Sequence, residues 1–142
     1  MQSLLDHITT LRLVIDFGLV VLIWMVQLIV YPGYLFYQEK DLITWHKVYT
    51  PRITIIVAPL MFIQAAVALY LVIIEFSVLH LIYTLMVVST WISTFLFFVP
   101  LHQNIESQKH IKVSAEKLSR GNLYRAFQWT IVFIFGLSFL SS

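Results

Sequence analysis

Apolar residues gather in four long runs, about 13–34, 53–74, 76–99 and 124–140. A bilayer core takes about 20 residues of α-helix. The first three runs reach that length, and the fourth lies at the short end. Polar interruptions are few. Asp16 and Gln27 fall in the first run, His80 and several Ser and Thr residues in the third, and the second has no charge. Pro32-Gly33 and Pro100 are expected to end the first and third helices, because proline lacks an N–H and clashes with the preceding turn. Pro51 is expected just before the second helix, and Gly121-Asn122 form a turn before the fourth. Pro59 lies inside the second run and should bend it, a break that neighbouring helices tolerate within a membrane.

The pattern predicts an all-α, antiparallel bundle of four transmembrane helices, a single membrane domain spanning 1–142. Two long loops, 35–52 and 101–123, fall on one side, and a short turn around Glu75–Ser77 falls on the other. Composition agrees. The chain is 60% hydrophobic and 11% charged, with mean hydropathy +0.87, whereas soluble domains carry about 25% charged residues. Four such runs leave too few residues for the polar shell of a soluble protein. The absence of cysteine excludes disulfides, thiolate zinc sites and iron–sulfur clusters. Four glycines without a GxGxxG or GxxxxGK[ST] pattern exclude a phosphate-cradling loop.

Charge orients the bundle. Lys40, Lys47, Arg52, Lys109, Lys112, Lys117, Arg120 and Arg125 belong to the side of the two long loops, against Arg12 alone on the other. The positive-inside rule places the loops in the cytoplasm and both termini outside. Met1–Thr10 has no basic n-region, and no cleavage site follows the first run, so it does not read as a signal peptide. The segment Gln103–Arg120 reads equally as a short interfacial helix or as a solvated loop. No basic stripe on a soluble surface points to nucleic acid.

Polar side chains at membrane depth are costly and often functional. Gln27, Tyr31, His46, Tyr49, Arg52, Trp91, His102, Asn104, Asn122, Arg125, Gln128 and Trp129 all lie towards the lysine-rich end, with Gln64 deeper. Asn122, Arg125 and Trp129 share one helical face. Asp16 and Gln27, eleven residues apart, sit within about 20° of each other around theirs. His80, Thr84, Trp91, Phe95, Phe98 and His102 form a stripe down the third helix. Structural readings stand beside functional ones. Aromatic and basic residues at this end can form a headgroup belt. Gln27 and Gln64 can tie helices together. His80 can be an interfacial histidine, and Asp16 can pair with Arg12 at i, i+4. Read together, the polar groups define an apolar, aromatic-walled pocket with a polar mouth, suited to a lipophilic molecule with one polar end. His102, His46 and Arg125 are the candidates for chemistry, by proton transfer and charge stabilisation. Gln27, Arg52, Gln64, Trp91, Asn122 and Trp129 are the candidate ligand-binding residues.

The run Trp24-x-x-Gln27…Tyr31-Pro32, with His46…Arg52, Pro59-Leu60-Met61…Gln64, Val99-Pro100-Leu101-His102 and Asn122-x-x-Arg125-x-x-x-Trp129-Thr130, resembles a family of small four-helix bacterial membrane proteins. The Asn-x-x-Arg of the last helix is also distantly similar to the anthrone-oxygenase-like membrane proteins. The first resemblance implies a bacterial inner-membrane location. The second implies cofactor-independent oxygenase or related chemistry on aromatic, lipophilic substrates. Many members of the first family have histidines where this chain has Val30 and Tyr49, and a glutamate where it has Gln64. That difference leaves only His46 and His102 for a metal, a poor set without a carboxylate.

Four functional classes follow. The first is a protein that binds, and as an oxygenase-like or isomerase-like enzyme transforms, a lipophilic small molecule. The second is a non-catalytic accessory subunit of a larger membrane complex, held by lipids and by a membrane-protein partner or a second copy. The third is a small transporter using Asp16 as its proton-coupled carboxylate, against which the one-sided charge speaks. The fourth is a haem protein with His46 and His102 as axial ligands; the residues themselves imply no cofactor.

Overall fold

The computed structural model describes residues 2–140. Four long helices form an antiparallel bundle, with no strand among the described residues. The first helix is built from Gln2–Met25, a π-helical turn over Val26–Val30, and a last α-turn at Tyr31–Tyr34. The second runs unbroken over Glu39–Ile74. The third comprises Val78–Ser93, a π-helical turn at Thr94–Phe98 and Val99–Glu106. The fourth covers Ile111–Leu137 and closes in a 3₁₀ turn at Ser138–Leu140. Three stretches, Leu4–Tyr34, Glu39–Ile74 and Val78–Glu106, are long and apolar enough to cross a membrane. The molecule is therefore a multi-pass membrane-helix bundle.

The helices extend well beyond the apolar runs. Pro51 lies inside the second helix, Gly121-Asn122 lie in the middle of the fourth, and Pro100 does not end the third. The segments expected as loops, 35–52 and 101–123, are mostly helix, joined by short turns near 35–38 and 107–110. Hydropathy marks the part of a helix that lipid can cover, and these extensions are amphipathic. Glu39 and Asp41 sit in the first turn of the second helix, where carboxylates oppose the positive end of the helix dipole.

Pro32 and Pro100 are absorbed by the two π-turns. The N–H of Tyr31 bonds the carbonyl of Val26, and that of Val99 bonds Thr94. Both are i→i−5 bonds made one residue before the proline. The wider turn accommodates the ring that would otherwise strike the carbonyl four residues back.

The fourth helix is the central one. Its buried residues include Ile111, Ala115, Leu118, Asn122, Arg125, Ala126, Trp129, Val132 and Gly136, recurring every three or four positions as a buried helical face requires. Its first half carries Lys112, Glu116, Lys117 and Arg120, and it is not among the three spanning stretches. The 124–140 run makes up the second half of this longer helix and its closing turn, with Trp129, Val132 and Gly136 buried and Phe127, Ile131 and Ile134 exposed.

At the opposite end Ser77 caps the third helix, its Oγ accepting from the His80 N–H at 3.1 Å. The turn between the third and fourth helices places Gln108 (φ 59°) and His110 (φ 49°) in the left-handed region, and the Lys109 N–H bonds the Asn104 carbonyl at 2.8 Å.

Candidate functional site

Two polar clusters occupy opposite ends of the bundle. The one nearer Ser77 draws on all four helices. Arg12 and Asp16 are 0% and 1% exposed. Arg12 Nη1 lies 3.4 Å from Asp16 Oδ2, and Arg12 Nη2 donates to the Gly136 carbonyl at 2.7 Å. Gln64 Nε2 donates to Asp16 Oδ1 at 2.6 Å. The Tyr83 hydroxyl reaches both carboxylate oxygens, at 2.8 and 3.0 Å. The guanidinium carbon stacks over Phe139, 4.7 Å from its ring centre. One cation faces one anion, and Arg12 Nε and Gln64 Oε1 have no hydrogen-bond partner among the described residues. A methyl group at Gly136 would collide with Arg12 Nη1, so glycine is what lets the fourth helix approach this pair.

The second cluster surrounds a cavity of about 450 Å³ at the lysine-rich end. Leu19, Met61 and Trp129 line its deep part, and Tyr31, Tyr49, His102, Glu106 and Arg125 its polar part. Twelve residues separate Met61 from Tyr49, so the cavity extends about 18 Å along the second helix. Both π-turns border it through Val26, Thr94, Phe95 and Phe98.

A hydrogen-bonded chain runs along the polar part. Tyr31 Oη lies 3.0 Å from His102 Nε2. His102 Nδ1 lies 2.8 Å from His46 Nε2, and His46 Nδ1 is 3.9 Å from Glu106 Oε1. Thr50 Oγ1 is within reach of both His46 nitrogens, at 3.3 and 3.2 Å. The His46 side chain is fully buried, whereas that of Glu106 is half exposed. The chain thus joins the cavity wall to the surface.

Arg125, 8% exposed, enters from the fourth helix. Its Nη2 donates to Thr94 Oγ1 at 3.1 Å, and its guanidinium carbon lies 4.3 Å from the Phe98 ring centre. Among the described residues no carboxylate comes within ion-pair distance of it. Arg125 Nε, Trp91 Nε1 and Trp129 Nε1 have no hydrogen-bond partner there. All three are donors.

The residues expected at the pocket separate into two sets. His102, Arg125, Trp91 and Trp129 line the cavity, and His46 stands behind His102. Gln27, Arg52, Gln64 and Asn122 do not line it. Gln27 and Asn122 join the first helix to the fourth: Asn122 Nδ2 donates to Gln27 Oε1 at 3.1 Å, and Gln27 Nε2 to the Ser119 carbonyl at 3.3 Å. Gln64 belongs to the Arg12 cluster, because the second helix carries it deeper than the cavity reaches. Arg52 is exposed; the cavity-facing positions of its helix are 49, 50, 53, 54, 57, 58 and 61, and position 52 points away from them.

Thr50, Thr94 and Glu106 were not among the expected residues. Thr50 and Glu106 each follow a candidate histidine by four positions, the spacing that places two side chains on one helix face. Thr94 is aimed by a π-turn, which hydropathy does not reveal. Among the described residues no three His, Cys, Asp or Glu side chains gather as a metal site. His46 and His102 point nitrogens at each other 2.8 Å apart, a hydrogen-bond distance, whereas a tetrahedral metal with bonds of about 2 Å would hold two nitrogens about 3.3 Å apart. The histidine pair is arranged as a hydrogen-bonded chain. Comparison with protein-family models, curated proteins and solved structures finds no match.

Proposed function

We propose that this chain is a bacterial inner-membrane protein, with both termini outside, that holds a lipophilic small molecule in the cavity near its cytoplasmic face. The observation that carries this reading is the cavity itself, about 450 Å³, with three unpartnered N–H donors at Arg125, Trp91 and Trp129. Ligand pockets are commonly about 300–1,000 Å³, mostly apolar, with a few placed polar groups. Buried donors without acceptors are costly, and a ligand oxygen would relieve that cost. The sidedness rests on charge. The one cation at the other end, Arg12, is buried against Asp16, which leaves the exposed lysines and arginines of the described residues at the cavity end. Any transformation of the bound molecule would use proton transfer by His102 and His46 and charge stabilisation by Arg125.

Native mass spectrometry of the detergent-purified protein tests the reading. A bound lipophilic species is expected on the wild type and lost from Ala58→Trp, which fills the cavity at a half-buried position. An unliganded wild type, or the same bound species on both proteins, would overturn it and favour an accessory subunit held by its lipid-facing surface.

A further inference from the structure

The two buried arginines differ in one respect that bears on the ligand. Arg12 has its carboxylate, whereas Arg125 is buried without one and faces a cavity. A buried charge without a counter-charge is strongly unfavourable, so the missing anion belongs to what the cavity holds. Beside that position begins a chain of groups that exchange protons, ending at a half-exposed carboxylate.

Resting on the reading above, we propose that the ligand is a lipophilic weak acid, bound as its anion against Arg125, and that its proton leaves to water through Tyr31, His102, His46 and Glu106. In that step the acid's O–H bond breaks and Tyr31 Oη takes the proton while passing its own to His102 Nε2. His102 Nδ1 passes a proton to His46 Nε2, and His46 Nδ1 passes one to Glu106, across 3.9 Å, a span one water bridges. Glu106 releases it to solvent. The balance is one acid converted to one anion and one aqueous proton, with no change of oxidation state. The transfer leaves both imidazoles in the opposite tautomer. Thr50, within reach of either nitrogen of His46, gives that ring a partner in both.

The titratable groups facing the path come from every helix around it. Tyr31 and Tyr34 lie on the first, His46 and Tyr49 on the second, His102 and Glu106 on the third, and Arg125 on the fourth. Glu106 is the one carboxyl group among them, and it stands at the outer end. The path therefore runs from a guanidinium at its inner end to a carboxyl group at its outer one, the direction in which a proton is drawn outward.

The test uses a 7-hydroxycoumarin bearing an alkyl tail, whose absorption reports ionisation of its hydroxyl, with the full chain in detergent. Bound to the wild type, the probe should ionise with its midpoint at least one pH unit below that in protein-free micelles, and Arg125→Met should abolish the shift. Binding without a shift would overturn the weak-acid proposal and leave the cavity reading standing; no binding would overturn both. After a pH jump, ionisation of the bound probe should be at least tenfold slower in His46→Phe, and likewise in Glu106→Gln, which changes only the exposed end. Unchanged rates in the folded variants would overturn the path. Dodecanoic acid and 4-octylphenol distinguish a carboxylic from a phenolic ligand by which displaces the probe at lower concentration. Displacement by 1-dodecanol at the same concentration as either acid would overturn the requirement for an anion.

Discussion

Each end of the bundle holds one buried arginine stacked on a phenylalanine, Arg12 over Phe139 and Arg125 over Phe98. Around Arg12 the protein supplies the anion, two further donors to that anion, and a glycine that lets the backbone close in. Around Arg125 it supplies one threonine hydroxyl, a cavity, and indole donors left open. The same side chain is thus paired with a carboxylate of the protein at one end and left facing a cavity at the other. The difference lies in the neighbours, since both arginines are almost wholly buried.

Substitutions can break this contrast. The largest effect is expected at Asp16→Ala, which strands Arg12 without a counter-charge. Breaking one partner of a buried pair costs about 3–5 kcal/mol, measurable as lost folded fraction in a detergent unfolding titration. Gly136→Ala forces a methyl against the same guanidinium and should cost about 1–3 kcal/mol, as overpacking does, seen as a lowered thermal midpoint. Arg125→Met should behave oppositely. It removes a charge that has no partner, so stability should be unchanged or raised, by less than about 1 kcal/mol, while any co-purified ligand disappears from the native mass spectrum. An Arg125→Met variant as unstable as Asp16→Ala would erase the contrast. The smallest effect is expected at Gln27→Leu, which loses its bonds to Asn122 and Ser119. Interhelical hydrogen bonds in membranes are worth about 0.6 kcal/mol on average, so the variant should keep its ligand and shift the unfolding midpoint only slightly.

The helix content and the three spanning stretches could be read from the apolar runs, because lipid imposes length and composition together. The Arg12–Asp16 pair was readable from its i, i+4 spacing. The lengths of the helices were not. Proline and glycine punctuate soluble chains reliably, but here Pro51 and Gly121 lie within helices, held by packing that outweighs local preference. The same limit separates the polar residues. Gln27 and Asn122 look alike to His102 in a list ordered by depth. Which of them face a cavity and which face a neighbouring helix depends on rotation about the axis, and a one-residue widening at 26–30 or 94–98 changes that rotation.

Those two widened turns make the chain sensitive to length as well as to chemistry. Deleting a single residue within Val26–Val30 would restore ordinary helical pitch and leave everything beyond it near its present rotation, whereas a deletion in the α-helical part before it would swing Tyr31 by about 100°, turning its hydroxyl away from His102 while leaving the transmembrane hydropathy nearly intact. The turn at Thr94–Phe98 stands in the same relation to His102 and Glu106. Related sequences that carry a one-residue gap at either turn would keep the aligned imidazoles, and those with a gap elsewhere in these helices would keep only the greasy cylinder, so gap placement is a sharper criterion for shared chemistry than overall resemblance.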